Sequence, residues 1–252
     1  MTNLGYRVYG LAALALGIIG LVWGDFALVW QPVPPDVPHR AMLAYLVAAT
    51  EIFSGAALLW RRTALFGAAA LTVLFALGVL LLHVPHIIAH PMSLGQWGGA
   101  AEQTALVAGG LLAFAMLAEF ESATFYRIGW ILFGACCLIF GAEHFKYEEA
   151  TAAMVPKYLP MGQVFWARAT GLFHIAAGLG ILTGIRARLA AQMLTAMFLV
   201  FAALVHAPVL LADPHSHMNW TMNAVNLALV GAAWIVADSL RGRTVWGAKE
   251  LA

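Results

Sequence analysis

Eight stretches of nearly unbroken apolar residues run through the chain, parted by short polar breaks. A helix needs about 20 mostly apolar residues to cross the hydrocarbon core of a bilayer, so the pattern predicts spans near 6–24, 41–60, 64–88, 99–118, 128–146, 164–183, 188–211 and 221–238. The expected fold class is all-α, a polytopic membrane protein of eight transmembrane helices. The first stretch, Val8 to Trp23, follows Arg7 and has no small-residue cleavage site before the chain turns polar near Asp25, so a retained first helix is expected.

The polar breaks repeat. Sliding the sequence by 123 residues lays His83 to Trp97 over His206 to Trp220, with six of the fifteen positions identical. The same shift pairs Gly55 with Gly178, Gln103 with Asn226, and Glu51 with His174, while a slightly different offset pairs Tyr6-Arg7 with Tyr126-Arg127. Each half contains four spans, an even number, so both halves start from the same side and the repeat is parallel, with its pseudo-twofold axis along the membrane normal. The expected units are 1–120 and 121–252, two four-helix bundles side by side, with a ligand placed in the groove between them or in a bundle core.

Composition agrees with the spans and excludes alternatives. With 63% hydrophobic and 10% charged residues, the chain is too poor in charge to cover a soluble surface. The net charge of +1 and the lack of any Lys/Arg run exclude nucleic acid as a partner, leaving the lipid bilayer. The two cysteines, Cys136 and Cys137, are adjacent within an apolar run and read as small buried hydrophobes. If the helices alternate, Arg7, Arg61, Arg62, Arg127, Arg186, Arg188, Arg241, Arg243 and Lys249 share one side, against Arg40, Lys146, Lys157 and Arg168 on the other. The positive-inside rule then puts both termini in the cytoplasm of a bacterial cell, with the protein in its inner membrane. Trp23, Trp30, Trp60, Trp97, Trp166 and Trp220 sit near span ends, as an aromatic belt would.

All nine histidines fall at mid-membrane or on the side opposite most of the basic residues. Neutral histidine does not follow the positive-inside rule, so this segregation asks for a reason. His83, His86 and His90 share one helix face, with Pro85 removing a backbone donor and kinking that turn; His206 and Pro208 repeat the arrangement. Glu51 and His174 each lie ten residues into their spans, about 15 Å deep at 1.5 Å per residue. Imidazole with carboxylate suits copper, iron or zinc, and paired imidazoles suit haem, which would be non-covalent because no Cys-x-x-Cys-His motif occurs. The candidate metal ligands are His83, His86, His144 and His206; Glu51 and His174 are the candidate proton-exchanging pair; Arg168 and Glu102 are candidate groups for holding a cofactor. The competing account is that histidines at helix ends bond water or headgroups and that buried polar pairs hold helices together. It is preferred for His39, His215 and His217.

Gly141-Ala-Glu-His-Phe145, the proline-bracketed segment Met154 to Pro160, and the glycine-rich stretch Gly171 to Gly184 followed by Arg186 resemble the DoxX-like family of small four-helix membrane proteins. The resemblance covers roughly residues 126–240 well and the first half more loosely, implying a tandem duplication of that unit. The first half departs from it, with Gly24-Asp-Phe26 in place of Gly-x-x-His-Phe and Glu51 in place of His174. The resemblance implies links to quinone-dependent redox chemistry, but carries no catalytic set over. Taken together, the expectation is a quinone-linked redox protein with a His/Glu metal or haem cluster and a periplasmic redox partner, and with homo-oligomers allowed. The alternative is a small-solute carrier or a membrane anchor for such a partner. A hydrolytic or isomerising enzyme using Glu51 and His174 ranks last, since no nucleophile elbow or paired-carboxylate spacing supports it.

Overall fold

The computed structural model describes residues 4–120 and 122–246, so Lys249 lies outside the described residues. Eight long apolar helices account for the predicted spans: α1 (Leu4–Trp23), α2 (Arg40–Leu59), α3 (Ala64–Ala89), α4 (Leu94–Leu117), α5 (Ala123–Lys146), α7 (Gln163–Thr183), α8 (Ala187–Ala212) and α9 (His217–Ser239). Between α5 and α7 lies the short helix α6 (Glu148–Met154), and between α1 and α2 a single 3-10 turn, Leu28–Trp30. The chain is an all-helical, polytopic membrane protein.

Three spans begin earlier than the hydropathy pattern predicts. α4, α5 and α9 start at Leu94, Ala123 and His217, so their first turns carry polar residues such as Gln96 and Asn219. Hydropathy sees only the part of a helix in hydrocarbon. The backbone continues through the interface, where Ser216 caps α9 by accepting a hydrogen bond from the Asn219 amide at 3.3 Å.

The proline kinks take a specific form. In α3 the five residues Val79–His83 form a π-turn just before Pro85, closed by the Val84 amide bonding to the Val79 carbonyl. In α8 the residues Ala202–His206 do the same before Pro208, closed by Ala207 on Ala202. Each proline lacks an amide hydrogen, and widening the preceding turn by one residue lets the helix continue past it. Both π-turns end on a histidine, so His83 and His206 are set at equivalent places.

The two sets of four long helices, α1–α4 and α5 with α7–α9, pack against each other. α1 packs on α9, α4 packs on α5, and α4 meets α9. Without a hydrophobic force between helices in lipid, these contacts depend on close approach of small residues. Gly109 on α4 faces Ala232 on α9, where an added Cβ would lie 2.7 Å from the alanine Cβ, and Gly231 sits against the Tyr9 backbone. Within each set, Tyr9 donates its hydroxyl to the Leu106 carbonyl at 2.7 Å, and the Trp130 indole donates to the Ser239 hydroxyl at 2.8 Å. Cys136 and Cys137 are buried and free in the core of α5.

Candidate functional site

The same three-helix surround, α2–α3–α4 in the first half and α7–α8–α9 in the second, encloses different things. In the first half the chain fills it. Phe26, Ala27 and Gln31 are buried beneath the 3-10 turn. Gln31 donates through Nε2 to the Glu51 carboxyl at 2.8 Å, while its Oε1 accepts from the Ala27 amide at 3.0 Å. His83 donates from Nε2 to the Trp30 carbonyl at 3.1 Å. Glu51 and His83 are thus satisfied by the segment that plugs their half.

In the second half the corresponding loop carries α6, and a cavity of about 670 Å³ remains. Its carboxyl and imidazole lining consists of Glu102, Glu143, His144, His174 and His206; Asn226 and the hydroxyls of Tyr147, Thr151 and Thr170 add neutral polar groups, and the remainder is mostly apolar and aromatic. Met193, Ala196 and Val200 line it yet are exposed on the surface of α8, so the cavity opens sideways at membrane depth between α7 and α8. The residues Thr151, Met154 and Val155 of and after α6 close the end toward the loops.

The imidazoles are oriented by their own helices. His144 Nδ1 lies 2.7 Å from the Phe140 carbonyl and His174 Nδ1 lies 3.0 Å from the Thr170 carbonyl. A carbonyl only accepts, so both Nδ1 atoms carry the hydrogen and both Nε2 atoms present lone pairs. The two rings stand 4.9 Å apart, with Phe140 and Phe198 packed around His174. The close crossing of α5 and α7 at Gly141 and Gly171 sets that spacing: a Cβ on Gly171 would meet the His144 Cβ at 2.7 Å. Asn226 spends one of its two amide hydrogens on the Phe198 carbonyl at 3.0 Å, and His206 Nδ1 is buried with no partner among the described residues.

The carboxyls meet at the seam between the halves. The Glu143 carboxyl lies directly on the Cα of Gly98 in α4, where any side chain would overlap it. Glu102 follows one turn later on the same face of α4 and accepts a hydrogen bond from the Trp30 indole at 2.5 Å. Outside the membrane-spanning segments, Glu148 on α6 is held by Arg168 of α7 through contacts of 2.5 and 3.1 Å, which keep its carboxyl below the usual carboxylate range.

The residues singled out from the sequence therefore separate into groups. His144, His174, His206 and Glu102 share the cavity. Glu51 and His83 are in the plugged half, so Glu51 and His174 are equivalent by repeat but do not form a pair. His86 turns its Nδ1 onto the Leu82 carbonyl of its own helix at 2.6 Å, and Arg168 is tied to the α6 loop rather than the cavity. Among the described residues no three His, Cys, Asp or Glu side chains are grouped so as to hold a metal ion. His144 and His174, with ring centroids 4.9 Å apart, stand too close to ligate one haem from its two faces. Sequence reasoning did not single out Glu143 as a site residue, and it placed Trp30 in the aromatic belt; the signal for both lay in Gly98 and Glu102, four residues apart on the helix they touch.

Residues 133–237, spanning most of α5 through α9, match a family model described as a domain of unknown function (DUF8561). No curated protein and no solved structure matches the chain.

Proposed function

We propose that this protein binds an amphipathic small molecule drawn sideways from the bilayer, in the manner of a membrane carrier or binding protein, in the cavity of its second half. The observation that carries this reading is the asymmetry of the repeat. One half closes its interior with its own Gln31, while the other leaves a mostly apolar space of about 670 Å³ with unspent polar groups, open between α7 and α8. An empty volume and unpaired polar groups both cost stability, so a ligand that fills the one and pairs the other is the economical explanation. The resemblance to DoxX-like proteins and the arginine-rich face support placement in a bacterial inner membrane with that face toward the cytoplasm.

The test is photolabelling in nanodiscs with a diazirine-bearing amphiphile. Label is expected to concentrate on α7 and α8 peptides lining the cavity, and to be lost in Met197→Trp, which fills the space. Label spread evenly over the lipid-facing surface, unchanged in the variant, overturns the reading.

A second reading is favoured by the two Nε2 lone pairs of His144 and His174, which call for hydrogen-bond donors. A quinol carries two hydroxyl donors and a quinone none. The quinone-linked role that the resemblance implies then takes a narrower form: a site for the reduced member of the couple, with these imidazoles accepting from its hydroxyls. Short-chain quinol displacing the label at concentrations where the matching quinone does not would support it; equal displacement would not.

A further inference from the structure

The carboxyl and imidazole groups lining the cavity face it as acceptors; the hydroxyls of Tyr147, Thr151 and Thr170 are its neutral donors, and Thr170 spends its own on the Trp166 carbonyl. No Lys or Arg lines it, while two carboxyls and three imidazoles do. One donor reaches the carboxyls, the Trp30 indole on Glu102; the Glu143 carboxyl accepts no hydrogen bond among the described residues. The Nδ1 atoms of His144 and His174 are spent on carbonyls, so what these rings offer inward is again a lone pair. His206 is 9% exposed and one of its ring nitrogens is unpartnered. The walls add Phe140, Trp166, Phe173 and Phe201, whose ring faces attract cations.

Different ligand heads meet this lining differently. An anion would be repelled by Glu102 and Glu143. A neutral hydroxyl would satisfy the imidazoles but supply no charge to hold Glu102 and Glu143 ionised in the membrane, where an unpaired carboxylate takes up a proton instead. A primary ammonium offers three donors and a positive charge, meeting carboxylate, imidazole and ring face together.

We propose that the cavity selects an organic ammonium carrying an apolar tail, with Glu143 and Glu102 as the groups that recognise the charge. This rests on the reading of the cavity as a lateral binding site and names its ligand class. The tail lies in the apolar part of the cavity and leaves between α7 and α8. Gly98 is required because the Glu143 carboxyl occupies the space a side chain would take.

The experiment is equilibrium binding of radiolabelled dodecylamine to the protein in nanodiscs at pH 7, where an alkylamine is protonated, with empty nanodiscs subtracted. The competitors are dodecanol and dodecanoate. Saturable binding is expected, with dodecanol competing roughly tenfold or more weakly and dodecanoate weaker still, as loss of a charge-assisted bond implies. Glu143→Gln should weaken dodecylamine binding by a similar factor and bring dodecanol level with it. Glu102→Gln keeps an acceptor for Trp30 and serves as an independent variant whose fold is preserved, again with about a tenfold loss. Dodecanol competing as well as the amine, or both variants binding dodecylamine at full strength, overturns the ammonium assignment while leaving the lateral site intact. No saturable binding of amine or alcohol, together with diffuse photolabelling, removes the site itself.

Discussion

Gly171→Ala isolates the contact that positions His144. The added Cβ would stand 2.7 Å from the His144 Cβ and 3.1 Å from Phe145 Cε2. Carbon atoms pack at about 3.5–4.0 Å, so α5 and α7 must separate by about 1 Å. The His144 Cβ is fixed to its backbone, and no rotamer change relieves the clash. The neighbouring crossing offers no slack either, because a Cβ on Gly141 would lie 2.8 Å from the Gly171 carbonyl oxygen. Overpacking of this kind costs about 1–3 kcal/mol, and it also pulls apart the His144–His174 ring contact of 4.9 Å. Equilibrium unfolding in mixed micelles reads the first effect and photolabelling of the cavity the second. Gly180→Ala on the same helix is the control. Its Cβ would meet the Ile185 carbonyl at 3.1 Å and the Ala190 Cβ at 3.3 Å, away from the cavity, so the fold gives slightly and labelling stays intact. If Gly171→Ala unfolds like the parent protein and labels normally, the glycine crossing does not position His144 and the argument fails.

Three further outcomes follow from the same geometry. Gln31→Ala deprives the Glu51 carboxyl, 2% exposed, of its 2.8 Å donor; unfolding should cost about 1–3 kcal/mol, and much less in a Glu51→Met background, which a double-mutant cycle measures. Gly98→Ala should leave stability nearly unchanged, because the carboxyl it displaces ends a flexible side chain, yet it should lower dodecylamine binding by moving Glu143. The Glu148–Arg168 clamp should hold α6 at neutral pH and release it in acid. The Glu148 carboxyl is depressed by the guanidinium, so its contribution is present above the ordinary carboxylate range, about 4.3, and is lost as pH falls through the depressed value. Protection of the amides across 148–162, taken relative to intrinsic exchange at each pH, should therefore fall below about pH 4, and at neutral pH in Arg168→Ala.

Hydropathy located the spans because bilayer thickness fixes their length. It misplaced the starts of α4, α5 and α9, whose first turns lie in the interface, and it missed α6, which has too few apolar residues to register. The repeat marked His83 and His206 as partners, and the two π-turns place them alike. What set them apart was not local to either histidine. The segment 26–31 folds back to give His83 the Trp30 carbonyl and Glu51 the Gln31 amide, and nothing in its spacing indicates that it plugs a half. The metal cluster was inferred by assuming that histidines on the same face converge. The helices put four of the named residues in one cavity and four elsewhere, and three of the imidazoles, His86, His144 and His174, turn one nitrogen back to their own backbone. Glu143 looked like a helix-end residue because its partner surface, Gly98, lies in the other half.

The difference between the two halves, one interior open and the other closed, has a consequence for stability that can be tested in the open half. Its unfilled space and unpaired polar groups are a cost the first half has removed, so filling the second should recover some of that cost and remove binding. Ala169 lines the cavity from α7, half-buried, beside Thr170 and Phe173. Ala169→Leu adds three carbon atoms there, and at about 0.8 kcal/mol per buried methylene the gain is at most about 2 kcal/mol. The expected result is a protein harder to unfold in mixed micelles and unable to take up label or dodecylamine. A variant that is destabilised and still binds would mean that the side chain meets packed protein rather than free volume, and that the cavity is not the place where ligand sits. Gain in stability joined to loss of binding is what separates a space maintained for a ligand from a packing defect, since filling a defect stabilises the fold and leaves any binding elsewhere untouched.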